Sequence, residues 1–158
     1  MTAATPPHDL ADRIDRILAA HADMEGACLS VLQAVQREVG YVPGDALAPI
    51  ARALHLSHAE VYGVLTFYHD LRQTPAGRHV VRVCQAEACQ SMGARGLTDA
   101  LVRHFGVALG ETAASGEVTL EAVYCLGNCA LSPAVSVDGT LLGRATPHRV
   151  TARLGAAT

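Results

Sequence analysis

Apolar residues in the first half of the chain recur at helical spacing. Leu10, Ile14, Ile17 and Leu18 share one face, with charged residues on the other. A second stripe runs through Cys28, Val31, Leu32, Val35 and Val39, and Gly40 is placed to end that helix. Tyr41-Val42-Pro43-Gly44 reads as a turn, and Asp45 reads as the N-cap of a short helix running to Leu54. Ser57-His58-Ala59-Glu60 has the form of a capping box, in which Ser57 and Glu60 satisfy each other's free backbone donors. Val61, Val64, Leu65 and Tyr68 follow as one apolar stripe. Four helices, each with one oily side, predict a small four-helix bundle.

The pattern changes after residue 70. Pro75 and Gly77 interrupt any helix, so residues 70–78 read as a connector. The expected division is a helical bundle over 1–72, a linker over 73–78 and a second domain over 79–158. His79 to Cys84 alternates as a strand does, with Val81 and Val83 on one side. Residues 93–105 return to helical spacing through Ala94, Leu97, Leu101 and Phe105, and Gly106 stops them. Residues 118–125 predict a second strand. Residues 134–137 and 140–142 flank Asp138-Gly139, a strong two-residue hairpin signal. Thr146-Pro147 starts a last helix. The order strand, helix, strand, strand, strand, helix predicts a small α/β layer with helices packed on a sheet.

Composition narrows the class. Half of the 158 residues are hydrophobic, so a packed core is expected. The formal charge of −3 offers no basic face for nucleic acid. Residues 1–7 contain no apolar leader segment, and no run approaches the roughly 20 apolar residues of a membrane span. These features predict a cytoplasmic chain without a membrane span, in which thiols stay reduced.

That setting gives the cysteines their meaning. Cys84-x4-Cys89 and Cys125-x3-Cys129 are two close pairs separated by thirty-five residues. Both pairs begin where a predicted strand ends. If those strands are neighbours, their loops meet at one edge of a sheet and bring four thiolates together. Thiolate is a soft ligand that suits an iron–sulfur cluster or zinc. Spacing alone leaves both open: a [2Fe–2S] cluster with two ligands on each iron, or a four-cysteine zinc site that staples an interaction module without a redox role. Gly93 and Gly127 are placed to let N–H groups point at sulfur. Cys28 lies on an apolar stripe and reads as a buried, inert thiol. His55 and His58 read as surface or capping residues. Tyr62, Phe67 and Tyr68 read as core packing first and as a partner-facing patch second. No nucleotide-binding glycine motif and no Ser/His/Asp or Cys/His constellation stands out, so no catalytic residue is assigned.

The cysteine pattern behind a helical region resembles the thioredoxin-like [2Fe–2S] subunit family. That family includes the complex I 24-kDa subunit, diaphorase subunits of NAD-linked hydrogenases and the gamma subunit of NAD-dependent molybdenum formate dehydrogenase. Val39-Gly40-Tyr41-Val42-Pro43 and the run from Glu60 to Tyr68 resemble the family's helical half. Tyr124-Cys125-Leu126-Gly127-Asn128-Cys129 resembles its second ligand loop. The stretch Cys84-Gln85-Ala86-Glu87-Ala88-Cys89-Gln90-Ser91-Met92-Gly93 is most similar to the formate dehydrogenase branch. The resemblance implies a helical bundle followed by a thioredoxin-like [2Fe–2S] ferredoxin domain, with Cys84, Cys89, Cys125 and Cys129 as ligands. It implies an electron-transfer subunit docked through its helical half on an FMN- and NAD-binding beta-type subunit. In the formate branch a large subunit with a molybdopterin cofactor, and further Fe–S clusters, complete the complex. Equivalent subunits of NADH:quinone oxidoreductase or of an NAD-linked hydrogenase are the alternatives, and a free-standing ferredoxin is a third.

Overall fold

The computed structural model describes residues 7–155; residues 1–6, over most of the stretch read as lacking a leader segment, and residues 156–158 lie outside them. The chain divides into two compact units, Met1–Pro75 and Ala76–Thr158.

The first unit holds α1 (Pro7–Ala20), α2 (Cys28–Val39), α3 (Gly44–Ala53) and α4 (His58–Phe67). Helix α1 packs on α2 and α3, and α4 packs on α3 and α2, so the four apolar stripes close on one core. Ile14, Ile17, Val31, Leu32, Val35, Leu47, Ile50, Val61 and Leu65 form it. Local chemistry sets the helix ends. Gly40 adopts φ 92° and donates its N–H to the Gln36 carbonyl. Ser57 and Glu60 form the capping box, with the Ser57 N–H 2.7 Å from Glu60 Oε2 and the Glu60 N–H 3.2 Å from Ser57 Oγ. Cys28 is buried, as its place on the stripe predicts; burial first, and then the Glu60 carboxylate, push its thiol pKa up.

Three expectations in this unit are corrected. Pro43, not Asp45, stands at the N-cap of α3, and Asp45 sits inside the first turn. Proline leaves that helix start with no side-chain cap. Tyr68 is not on the buried stripe: α4 ends at Phe67, and Tyr62, Phe67 and Tyr68 are all exposed, Phe67 by 73%. The helix buries only Val61 and Leu65, because its narrow contact face leaves the aromatic rings outside. Residues 70–72 are not a free connector either. Gln36 Nε2 donates to the Asp70 carbonyl at 2.6 Å, Arg72 N–H donates to Gln36 Oε1 at 2.6 Å, and Leu71 is buried.

The second unit is a five-stranded sheet of order β2-β3-β1-β4-β5 among the described residues. Its strands are β1 (His79–Cys84), β2 (Glu111–Thr112), β3 (Val118–Val123), β4 (Val135–Val137) and β5 (Thr140–Leu142). Strand β3 runs parallel to β1, which requires a crossover; α5 (Glu87–Ser91) and α6 (Ala94–Phe105) supply it. Strand β4 pairs antiparallel on the other side of β1. Helix α6 packs on β1, and α7 (Pro147–Gly155) packs on β4 and α6. Val81, Val83, Val118, Leu120, Val135 and Val137 point from the sheet into a core closed by Leu97, Leu101 and Val150.

The element order therefore gains α5 and β2, plus a 3₁₀ turn at Cys129–Leu131, over the order expected from the sequence. All three are too short to show a hydrophobic period. The second strand stops at Val123 instead of reaching Cys125, because Cys125 has φ 132° and cannot continue a ladder.

The hairpin turn has Asp138 at φ 50° and Gly139 at φ 81°, the pair of positive angles that a two-residue turn of this twist needs. Asp138 also braces the sheet. Its Oδ2 lies 2.7 Å from His79 Nδ1, and its Oδ1 accepts the Val80 N–H at 2.8 Å. Burial raises this carboxyl's pKa, but the Val80 N–H, His79 and the charge of Arg153 outweigh burial and hold it below the usual range. A carboxyl with a depressed folded pKa contributes stability that is present above the unfolded value and lost as pH falls through the folded one. Asp138→Asn is therefore expected to lower stability at neutral pH and to flatten the loss below about pH 4. Urea midpoints at pH 7 and at acid pH check this; parallel curves for variant and parent would show that the pairing contributes nothing.

Candidate metal centre

The parallel register of β1 and β3 places the site. Cys84 ends β1 opposite Val123, the last residue of β3. Both strands point the same way, so their following loops leave from the same edge. The Gln85 N–H donates to the Val123 carbonyl at 2.7 Å and clips the two exits together. The first loop turns through Gln85 and Ala86 into α5, which carries Cys89. The second passes through Tyr124, Cys125, Leu126, Gly127 and Asn128 to the 3₁₀ turn that begins at Cys129.

The four thiols lie at this edge of the sheet as two pairs. Cys125 Sγ lies 3.8 Å from Cys129 Sγ, and the Cys84 and Cys89 thiols are hydrogen-bonded to each other. The pairs also feel one another, and the two loops interlock. Leu126, in the second loop, donates its main-chain N–H to Cys84, as does Ala86 from the first. Cys89 receives the Ala134 N–H and touches the Ser132 hydroxyl at 3.5 Å. Gly127 N–H points at Cys125 Sγ at 3.3 Å, as expected from the sequence. Gly93 does not follow that expectation. Its N–H donates to the Gln90 carbonyl, and its φ of 90° turns the chain between α5 and α6.

Burial separates the pairs. Cys84 and Cys89 are 2% and 1% exposed and pack with Ala94 and Ala134, whereas Cys125 and Cys129 are exposed. Met92, Tyr124 and Leu131 are exposed apolar side chains on the loops and helix ends that carry the thiols. Burial pushes the Cys84 thiol pKa up against its N–H donors. Burial also opposes ionisation of Cys89, but the Ser132 hydroxyl, the Ala134 N–H and the Cys84 thiol bring its pKa down. Cys129 is pushed up, first by its bond and charge interaction with Cys125, then by slight desolvation, then by Cys89 and Cys84. Negative charge on neighbouring sulfurs repels, so ionisation of one thiol of a pair opposes ionisation of the other.

The donor set fits a cluster. It is all thiol, and thiolate is the ligand of [2Fe–2S] centres. Among the described residues no group of three or more His, Cys, Asp or Glu side chains is close enough to hold a metal ion. Cys28 lies in the helical unit and takes no part in this set.

Sequence reasoning missed the flanking donors. Ala86, Leu126, Ser132 and Ala134 carry no motif of their own, and the Cys89–Ser132 contact spans 43 positions. Ser132-Pro133 signals only a turn.

Comparison with known proteins agrees with the fold. An NADH-quinone oxidoreductase subunit of Pseudomonas aeruginosa is 35% identical over 130 residues, covering 82% of this chain and 78% of that protein. The subunit of the same name in Escherichia coli is 34% identical over the same share. "NADP-reducing hydrogenase subunit HndA" of Solidesulfovibrio fructosivorans is 29% identical over 147 residues, covering 93% of this chain and 86% of that protein. A crystal structure of an NAD+-reducing [NiFe]-hydrogenase superposes with a TM-score of 0.68 at 22% identity; the match covers 82% of this chain and 22% of that one, and shows a shared fold. The family model for thioredoxin-like [2Fe–2S] ferredoxins matches residues 14–157, which implies a [2Fe–2S] cluster as the cofactor. With nearly its whole length matched by that model and with relatives above 30% identity, the chain belongs to the thioredoxin-like [2Fe–2S] ferredoxin family.

Proposed function

We propose that this chain is an electron-transfer subunit of an NAD-linked dehydrogenase complex, with its cluster held by Cys84, Cys89, Cys125 and Cys129. The observation that carries this reading is the parallel register of β1 and β3, whose following loops carry two thiol pairs, one buried and one exposed. When bound, the cluster takes up and passes on a single electron. The protein's part is to hold and shield it. Cys84 and Cys89 keep one side dry, and the N–H groups of Ala86, Leu126 and Ala134 offset negative charge there. Cys125 and Cys129 leave the other side open toward a redox partner. Electron transfer needs short range, so this open side is where a flavin-bearing subunit docks.

The partners follow from the family reading. An FMN- and NAD-binding beta-type subunit sits beside the cluster, and the helical unit, with Tyr62, Phe67 and Tyr68 exposed, supplies docking surface. The wording of the first ligand loop, Cys84 to Gly93, favours the formate branch, whose large subunit carries molybdopterin and further Fe–S clusters. The relatives named for NADH-quinone oxidoreductase favour the second reading, an equivalent subunit of that enzyme. Among the described residues no helix is long and apolar enough to cross a membrane, which suits a cytoplasmic complex.

The test is to tag the chain in its native cell and isolate the intact complex. Formate dehydrogenase predicts molybdenum and FMN in the preparation, and added formate brings up the EPR signal of the reduced cluster. A complex with quinone-reducing membrane subunits and no molybdenum selects the second reading. A colourless chain with one zinc, or a brown chain that binds no flavin subunit, overturns the proposal.

A further inference from the structure

Ser132 touches both halves of the site. Its hydroxyl lies 2.7 Å from the Cys129 carbonyl oxygen and 3.5 Å from Cys89 Sγ. The residue is 7% exposed, so water competes little for either contact. A serine hydroxyl carries one proton. While Cys89 is a thiol it has a proton of its own, and Ser132 is free to donate to the carbonyl. A metal-bound thiolate has none, and its sulfur becomes an acceptor only. Two acceptors then share one donor.

We propose that Ser132 is a positioning residue whose hydroxyl proton turns from the Cys129 carbonyl toward the Cys89 sulfur when the bound cluster gains an electron. The inference rests on the reading of Cys89 as a ligand. The added electron raises negative charge on the sulfurs, while the carbonyl's partial charge stays the same. A hydrogen bond to a charged acceptor is about twice as strong as one between neutral groups, so the balance moves to sulfur. The other donors to the buried pair are main-chain N–H groups of Ala86, Leu126 and Ala134, fixed in direction by the fold. Ser132 differs from them because it rotates. No covalent bond forms or breaks: one electron enters from the reductant, and one proton stays on its oxygen and changes direction. The reduced form is stabilised without proton uptake from solvent.

The experiment uses the full chain loaded with its cluster. Redox titration with dithionite, followed by EPR, compares the parent with Ser132→Ala and Ser132→Thr. At a fixed potential Ser132→Ala is expected to shift the balance about tenfold toward the oxidised form, which is about 59 mV for a one-electron couple. Ser132→Thr keeps the hydroxyl and restores most of the shift. The size of the shift stays constant with pH, since no group gains or loses a proton. Brief transfer of the parent into D2O is expected to give a fast-exchanging deuteron coupled to the reduced cluster, and Ser132→Ala to lack it. A parent-like potential in Ser132→Ala overturns the proposal, and so does a parent without that deuteron, even where the variant fails to load. Cys89→Ser separates the two levels. An unchanged EPR signal there removes the ligand reading, whereas a lost or altered signal beside a parent-like Ser132→Ala removes this inference alone.

Discussion

Cys84→Ser or Cys89→Ser is expected to abolish cluster loading, with iron falling from about two per chain to well below one. Cys125→Ser and Cys129→Ser are expected to keep part of the iron with an altered EPR signal. The difference follows from burial. Cys84 and Cys89 are closed off, and the N–H groups of Ala86, Leu126 and Ala134 are set for a large thiolate at those positions. A serine oxygen is smaller, harder and seldom ionised, and no water can take its place there. Cys125 and Cys129 are exposed, so solvent can fill a lost position. Cys28→Ser serves as the control, because Cys28 packs in the helical core, and its EPR signal should match the parent's. Cluster binding is coupled to folding, so the two buried variants should also lower the melting temperature of the second unit. Iron and acid-labile sulfide analysis with EPR checks the set. Parent-like spectra from Cys84→Ser, or loss of the cluster in Cys28→Ser, would mean that the ligands are wrongly assigned.

Gly143→Ala is expected to disturb the same site without touching a sulfur. A Cβ at Gly143 would lie 2.6 Å from the Leu131 Cβ, 2.7 Å from Asn128 Nδ2 and 3.1 Å from the Leu131 carbonyl. The segment it would strike carries Cys129. That segment has little freedom to retreat, because Arg144 N–H bonds the Leu131 carbonyl and Ala145 N–H bonds the Pro133 carbonyl at 2.8 Å. Overpacking of this kind costs about 1–3 kcal/mol. Shifted EPR g-values and weaker iron retention should accompany that loss. Gly96→Ala is the matched control in the same unit: it lies in α6, nothing stands within 4 Å of the added carbon, and the change should stabilise by about 0.5–1 kcal/mol. Thermal melts and chelator challenge of the two variants compare them directly. Equal iron loss rates for Gly143→Ala and the parent would show that the segment yields without moving Cys129.

Much of this fold is legible from local chemistry. The capping box at Ser57 and Glu60, the left-handed stop at Gly40 and the Asp138-Gly139 turn are each decided within four residues, and the structure holds all three. The apolar stripes of α1, α2 and α6 are wide enough to name their buried faces. Reading fails where an element is too short to show a period, as in α5 and β2, or where exposure depends on what packs nearby. Tyr62, Phe67 and Tyr68 have core composition, yet α4 meets its neighbours through Val61 and Leu65.

The amino-acid sequence by itself determined the candidate ligand chemistry: two close pairs of cysteines, on a chain with a formal charge of −3 and no membrane-length apolar run. Only the tertiary structure decided that the two ligand loops leave from the same edge of the sheet, that one pair is buried and the other exposed, and which groups surround them. The physical reason is range. Caps, turns and helical stripes arise between residues a few positions apart, whereas the register that sets Cys84 against Val123, and the contact between Cys89 and Ser132 across 43 positions, exist only once the sheet has formed.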